Sequence, residues 1–178
     1  MERKEIVISG SGGQGVVLGG IILAEAAAIY DDLNATHNQS YGPEARGGAS
    51  KSEVIISEGA IHFPEIENPD ILVALTQEAI RKYGNTIKSQ GILIVDSKVK
   101  VDEDLKTRAK TFSLPIVETA INKVGNEVTV NMVTLGALVA ITKIVSREAI
   151  EKAVLNRIPK GTENLNRKAL AEGFALAE

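Results

Sequence analysis

A glycine-rich turn near the amino terminus is the part of this sequence best suited to bind a ligand. It has the pattern G-x-G-x-x-G and consists of Gly10, Ser11, Gly12, Gly13, Gln14 and Gly15. An apolar run over residues 5–9 precedes it and a longer one over residues 16–29 follows it. The pattern carries meaning between a strand and a helix, and these flanks predict both. We therefore expect free backbone N–H groups at a helix start, where phosphates bind.

Three glycines of the turn have an expected role. Gly10 would allow the tight turn out of the strand, and Gly12 would let a ligand approach the backbone. Gly15 would let the helix pack closely on the strand. Glycine-rich turns also occur where nothing binds, but the flanking strand and helix favour the phosphate site.

A second loop over residues 40–48 carries a cation. Its glycines and its proline exclude regular structure. Arg46, between flexible neighbours, could clamp a phosphate or a carboxylate with its guanidinium group. If the sheet is doubly wound, this loop would lie beside the glycine-rich turn at the carboxyl edge, where ligands bind. The alternative is a surface arginine that pairs with Glu44 or with a neighbouring subunit.

Strand and helix patterns alternate along the rest of the chain. Buried strands are predicted over residues 70–75, 91–96 and, more weakly, 112–117. Helices are predicted over residues 77–83, 131–145, 146–158 and 164–177. A short strand over residues 35–39 and a hairpin made by residues 49–57 and 60–63 break the alternation. The pattern predicts an α/β fold: a Rossmann-like, mostly parallel but mixed sheet flanked by helices, in one domain over residues 1–178.

Several other residues have simpler structural explanations. His37 is expected to sit on its strand without a catalytic partner. Asn131 is most simply the N-cap of its helix, and Ser146 caps the next one. Gly136, with its small neighbours, indicates a helix-packing face, and the Gly19-Gly20 pair indicates close approach of another element or of a partner subunit.

Composition excludes several classes of function. The net charge of −3 and the 3% aromatic content provide neither a basic field nor stacking platforms for nucleic acid. The chain has no cysteine, which excludes Cys-type zinc sites, Cys nucleophiles and Fe–S ligation by this chain. His37 and His62 are not in metal-ligand spacing, so no metal site is expected. We expect a cytoplasmic protein, because no signal peptide and no membrane span are found.

The sequence also argues against two classes of nucleotide-binding site. The chain lacks the GK[ST] signature of a Walker A loop. A dinucleotide site normally has an acidic residue at the end of the second strand, where this chain has Asn38, Gln39 and Ser40. We see no Ser–His–Asp arrangement and no paired carboxylates, so no catalytic residue is predicted.

Together the two loops make the chain resemble the gamma subunit of the 2-oxoacid:ferredoxin oxidoreductases. The resemblance covers nearly the whole chain: residues 10–15, 40–48, 70–75 and 95–97, the Pro115 segment, residues 131–137, and Asn166, Ala169 and Gly173. Within that family the chain is most similar to the 2-oxoglutarate branch, with the pyruvate and ketoisovalerate branches as alternatives.

The resemblance implies a supporting role in a hetero-oligomer. The family decarboxylates a 2-oxoacid oxidatively, acylates coenzyme A and reduces ferredoxin. Thiamine diphosphate, Mg²⁺ and the Fe–S clusters would lie on the alpha, beta or delta partner subunits only. This chain would help to complete the coenzyme A site, with residues 10–15 cradling a phosphate and with Tyr41 and Arg46 facing coenzyme A or a partner. A stand-alone NAD(P)-dependent dehydrogenase and a purely structural subunit remain the alternatives.

Overall fold

A six-stranded mixed sheet forms the centre of the molecule. The computed structural model describes residues 2–41 and 49–178. Within them the strands are β1 (Lys4–Gly10), β2 (Asn34–Tyr41), β3 (Ser50–Ser57), β4 (Ile71–Ala74), β5 (Ile92–Asp96) and β6 (Lys110–Leu114). Their order across the sheet is β2-β3-β1-β4-β5-β6. Strands β1, β4, β5 and β6 are parallel, whereas β3 is antiparallel to both β1 and β2. The predicted mixed α/β sheet is confirmed.

The strand pairing puts the carboxyl ends of β1 and β2 at one edge of the sheet. Ser50 pairs with Gly10 on one side and with Tyr41 on the other. Because β2 and β1 both run antiparallel to β3, their carboxyl ends lie at the same edge. Strand β2 continues to Tyr41, so the first two residues of the predicted loop belong to a strand, and β3 separates β2 from β1. At two strand spacings, Gly10 and Tyr41 are about 10 Å apart. Residues 42–48, which include Arg46, lie outside the described residues.

The predicted hairpin between residues 49–57 and 60–63 is wrong. The antiparallel partners of β3 are β2 and β1, so both of its edges are already occupied. Residues 60–63 therefore form no strand and lie in an irregular segment. The guanidinium group of Arg3 holds this segment by donating to the carbonyl oxygens of Phe63 at 2.6 Å and Glu65 at 3.0 Å.

Helices cover both faces of the sheet. The main helices are α1 (Val16–Glu25), α2 (Gln77–Tyr83), α3 (Glu103–Arg108), α4 (Ile116–Glu118), α5 (Val130–Thr142), α6 (Arg147–Arg157) and α7 (Glu163–Ala175). Helices α1, α5, α6 and α7 pack on one face over the larger core. Helices α2 and α3 pack on the other face over a smaller core. Because alternate strand residues face opposite sides, β1 gives Ile6 and Ile8 to one core and Val7 to the other.

The predicted helices are confirmed, with changes at their ends. The helix over residues 16–29 is α-helical to Glu25 and continues as a π-helical turn, Ala26–Tyr30. A second π-helical segment, Thr119–Val124, continues α4. Helix α5 ends before Lys143, which has a positive φ of 51°. The Ser146 hydroxyl caps α6 as predicted, by accepting from the Ala149 N–H at 3.1 Å. No helix in the described part of the chain is long and apolar enough to cross a membrane.

Helices α5 and α7 cross with their backbones in direct contact. A Cβ atom on Gly136 would lie 2.3 Å from the Leu170 carbonyl oxygen, and one on Gly173 would lie 2.2 Å from the Val133 carbonyl oxygen. Backbone atoms cannot move aside as a flexible side chain can. The two positions therefore need glycine, and the predicted packing face is confirmed.

Substitution of Gly136 by alanine should destabilise the fold by about 1–3 kcal/mol, because the added methyl group overpacks this crossing. Gly19→Ala is the matched control: Gly19 is also a buried helical glycine, but the nearest atom to its added Cβ is Asn131 Cβ at 3.8 Å. There alanine should be neutral or stabilising by up to about 1 kcal/mol. Urea unfolding of the two purified variants checks both values, and equal stability would contradict the packing argument.

Helix α1 lies close to β2 and β3 at Gly20. A Cβ atom there would lie 1.8 Å from the Ser52 hydroxyl oxygen and 3.0 Å from His37 Cδ2. The expected close approach is thus confirmed at Gly20. Beneath it, the Nε2 atom of His37 forms a 2.7 Å hydrogen bond with the Ser52 hydroxyl group. Burial lowers the pKa of the His37 imidazole below its ordinary value of 6.5.

The lowered pKa of His37 predicts that the stability of the fold depends on pH. The folded chain favours the neutral imidazole, so stability is lost as the pH falls below about 6.5 and the unfolded chain gains the proton more readily. The stability advantage of the wild-type chain over His37→Gln should therefore shrink between about pH 7.5 and pH 5. His62 is present in both chains and cancels in this difference. Urea unfolding across that range is the measurement, and a constant difference would contradict the shift.

Candidate functional site

The glycine-rich turn has the predicted strand–turn–helix setting. Strand β1 ends at Gly10, and helix α1 begins at Val16 after the N-cap residue Gly15. Gly12 and Gly13 are exposed, while Gln14 is partly exposed. The turn is therefore presented to the outside at the carboxyl edge of β1.

Two reciprocal hydrogen bonds join Ser11 and Gln14. The Gln14 N–H donates to the Ser11 carbonyl oxygen at 3.3 Å, which closes a turn around Gly12 and Gly13. The Ser11 N–H donates to the side-chain oxygen Oε1 of Gln14 at 2.8 Å. Gly13, at the third position, has a φ of +87°. A type II turn needs a positive φ there, which favours glycine.

The first and last glycines of the motif make room for two side-chain amides. A Cβ atom on Gly10 would lie 2.4 Å from Gln14 Oε1. One on Gly15 would lie 2.4 Å from Asn131 Nδ2, and Gly15 also has a φ of +68°. The role expected of Gly15, close packing of the helix on the strand, is thus wrong. The absence of a side chain at Gly15 makes room for Asn131 of α5 and not for the strand. These two glycines are explained by the protein's own packing without any ligand.

The middle glycines face open space. No atom lies within 4 Å of a Cβ atom built on Gly12 or Gly13. Below the turn, the cavity bounded by Gln14, Leu75 and Asn131 has a volume of only about 10 Å³. That is barely the size of one water molecule. The turn is therefore accessible from outside, over Gly12 and Gly13, and the approach of a ligand at Gly12 stays a prediction.

The start of α1 is electrostatically suited to an anion. The first four N–H groups of a helix have no intrahelical acceptor, and in α1 these begin at Gly15. Gly15 offers no side-chain cap, and the first turn contains no acidic residue that would occupy the amides. The helix dipole adds a partial positive charge at this end. The turn can therefore bind a phosphate or carboxylate oxygen through its backbone.

Asn131 is a site residue that sequence reasoning misinterpreted. It was expected to be the N-cap of its helix, but that position is Thr129, and Asn131 lies buried in the first turn of α5. Its Oδ1 atom accepts from the Met132 N–H at 3.0 Å, and its Nδ2 atom faces the Gly15 carbonyl oxygen at 3.4 Å. No local pattern could reveal this contact, because 116 residues separate the two partners.

The polar side chains near this edge have structural partners. Asp96, at the end of β5, is buried and its carboxylate accepts from the N–H groups of Lys98 and Val117 at 3.0 and 2.9 Å. The pair formed by His37 and Ser52 lies under α1, where Ser52 is fully buried. Among residues 2–41 and 49–178, no group of His, Asp and Glu side chains is placed to hold a metal ion. The described residues of the turn supply binding groups, not an acid–base pair.

The fold defines a Rossmann-like domain with an outward-facing glycine-rich turn, and known proteins identify the family. The family model described as pyruvate ferredoxin/flavodoxin oxidoreductase matches residues 5–176. A Methanocaldococcus jannaschii protein named 2-oxoglutarate synthase subunit KorC is 48% identical over 177 residues, which are 99% of this chain and 95% of that protein. The solved gamma subunit of a keto/oxoacid ferredoxin oxidoreductase from Geobacter sulfurreducens is 50% identical, with a TM-score of 0.90 over 99% of this chain and 97% of that one.

The chain belongs to the pyruvate ferredoxin/flavodoxin oxidoreductase family. The predicted resemblance to the gamma subunit of a 2-oxoacid:ferredoxin oxidoreductase is confirmed. A solved 2-oxoglutarate:ferredoxin oxidoreductase from Magnetococcus marinus shares the fold, with 21% identity and a TM-score of 0.89. There the match covers 99% of this chain but 31% of that chain, so the same fold also occurs within a longer polypeptide.

The contact between Gly15 and Asn131 predicts a coupled pair of substitutions. Gly15→Ala should destabilise the chain by about 2–4 kcal/mol, since it adds a strained positive φ to the collision with the amide. Asn131→Ala removes the colliding amide group, so the double variant should be at least about 1 kcal/mol more stable than the sum of the single effects predicts. Urea unfolding of the four chains measures this coupling.

Gly12→Ala is the control in the same turn. Its Cβ atom would contact nothing and its φ is not positive, so stability should change by less than about 0.5 kcal/mol. Strict additivity of the Gly15 and Asn131 effects would show that the two residues do not collide.

Proposed function

We propose that this chain is the gamma subunit of a thiamine diphosphate-dependent 2-oxoglutarate:ferredoxin oxidoreductase, and that its glycine-rich turn contributes to the coenzyme A site. Full-length similarity to a protein named 2-oxoglutarate synthase subunit KorC supports the choice of 2-oxoglutarate as the substrate. A second such protein, from Methanothermobacter marburgensis, is 46% identical over 98% of this chain and supports the same choice. The cytoplasmic location expected from the sequence remains a prediction.

The geometry of the turn is the observation that carries the coenzyme A role. Gly12 and Gly13 are open to the outside, and the uncapped amides of α1 begin directly after them. Coenzyme A is rich in phosphate groups, which are the anions that helix starts bind best. The Magnetococcus marinus enzyme, which has coenzyme A and succinyl-CoA bound, shares this fold. Tyr41 and Arg46 would complete the site from the neighbouring loop, by contact with coenzyme A or with a partner subunit.

The chemistry of decarboxylation and electron transfer would take place on partner subunits. The chain has no cysteine, so it cannot hold an Fe–S cluster through thiolates. Thiamine diphosphate and Mg²⁺ would be held by the alpha and beta subunits, and the clusters by the beta or delta subunit, with ferredoxin as the electron acceptor. The residues of this chain would bind and orient the acyl acceptor.

The strand order counts against a stand-alone NAD(P)-dependent dehydrogenase. In a dinucleotide fold the neighbour of β1 on this side is parallel to it and brings an acidic residue to the ribose. Here that neighbour is β3, which is antiparallel, so its carboxyl end lies at the opposite edge of the sheet. The position from which the ribose would be held is therefore lost.

Gly12→Asp tests the coenzyme A role in the assembled complex. The substitution meets no atom of the protein, but it puts a carboxylate in the path of an incoming phosphate. The KM for coenzyme A should rise at least about tenfold, equivalent to about 1.4 kcal/mol, while the KM for the 2-oxoacid stays constant. Steady-state kinetics with coenzyme A as the varied substrate gives these values.

Gly59→Asp is the matched control. Gly59 is exposed, its added Cβ atom would be 3.8 Å from the nearest atom, and the charge change is the same. The control should leave the KM for coenzyme A unchanged, which separates a local effect from a change in net charge. Gly12→Asp complexes with full subunit content and an unchanged KM would exclude the phosphate role and favour a purely structural subunit.

A further inference from the structure

The side chain of Gln14 is folded back onto the turn from which it arises. Its Oε1 atom accepts from the Ser11 N–H at 2.8 Å and lies only 2.4 Å from the position that a Cβ atom on Gly10 would take. The backbone N–H of the same residue donates to the Ser11 carbonyl oxygen. One residue therefore holds both polar backbone groups of Ser11, and the two bonds close a small ring around Gly12 and Gly13.

We propose that Gln14 is the positioning residue of the glycine-rich turn: its carboxamide braces the backbone in the conformation that exposes Gly12 and Gly13. Glycine loses more conformational freedom on ordering than any other residue, and this turn contains four glycines. A turn of this composition needs a fixed contact to remain in one conformation. The Gln14 brace supplies that contact before any ligand arrives, which lowers the entropic cost of binding.

The type of side chain at position 14 fits this role. A glutamine offers the acceptor that the Ser11 N–H needs, without a charge. Because its oxygen is occupied by Ser11, the NH₂ half of the same amide remains as a donor beside the turn. A glutamate could also accept from Ser11, but it would place a negative charge next to an anion site. The brace itself does not depend on the ligand, whereas its effect on coenzyme A affinity rests on the proposed function.

Two substitutions separate the brace from the charge of the site. Gln14→Met keeps the length of the side chain and removes both its acceptor and its donor. Gln14→Glu keeps an acceptor for Ser11 and adds a carboxylate. Gln77→Met is the matched control, because Gln77 also bonds backbone, accepting from the Lys100 N–H at 2.8 Å and donating to its carbonyl oxygen at 2.9 Å.

The experiment measures hydrogen exchange of residues 9–18 and steady-state kinetics in the assembled complex. Gln14→Met should accelerate exchange in this segment and raise the KM for coenzyme A about fivefold, with a larger effect on KM than on kcat, since a looser turn weakens binding. Gln14→Glu should keep the slow exchange of the wild type and raise this KM more than about tenfold, because it restores the brace but repels the phosphate. Gln77→Met should accelerate exchange only around Lys100.

The outcomes distinguish this inference from the proposed function. Exchange at the wild-type rate in Gln14→Met would show that Gln14 does not brace the turn. Exchange in Gln14→Glu as fast as in Gln14→Met would show the same. If Gly12→Asp raises the KM for coenzyme A while Gln14→Met changes neither exchange nor KM, the coenzyme A role stands and the brace falls. If Gln14→Met accelerates exchange while none of the three variants of the turn changes this KM, the brace stands and the coenzyme A role falls.

Discussion

The close contact between Gly15 and Asn131 is the constraint on which the site depends. It joins the strand–turn–helix unit at the amino terminus to α5, which is contributed by the distant second half of the chain. Helix α5 is in turn locked to α7 where Gly136 meets Gly173. The Asn131 side chain against Gly15 and the backbone contact between Gly136 and Gly173 therefore connect α1, α5 and α7 into one layer. Because the glycine-rich turn is the exposed end of that layer, its shape depends on residues far from it in sequence.

The antiparallel strand β3 determines what this edge of the sheet can bind. By lying between β1 and β2, it takes the place of the parallel strand that would carry a ribose-binding acid in a dinucleotide fold. It also brings the end of β2 level with Gly10, so that the loop after Tyr41 starts at the same edge as the turn. One change of strand direction thus removes the position of a ribose-binding acid and brings the end of β2 to the edge of the turn.

Local signals in the sequence predicted the elements that depend on local chemistry. Helix α2 was placed correctly at both ends, and in the structure the Thr76 side chain caps it by accepting from the Ala79 N–H at 3.2 Å. The short, charged helix α3 was missed, since it has little apolar periodicity to reveal it. The hairpin partner of β3 and the role of Asn131 were wrong for another reason. Strand pairing and helix-to-turn contacts join residues that are distant in the chain, and single-sequence patterns do not encode those choices.

The glycines of the motif divide into two pairs with different physical causes. Gly10 and Gly15 leave room for the side-chain amides of Gln14 and Asn131. In contrast, Gly12 and Gly13 face open space, and Gly13 has a positive φ. The end glycines of a G-x-G-x-x-G pattern can therefore arise from internal packing, so they are not by themselves a sign of ligand binding. A turn of this kind provides backbone amides for a phosphate but offers little to distinguish one phosphate ester from another. The choice of coenzyme A would therefore have to come from groups beyond Gly12 and Gly13.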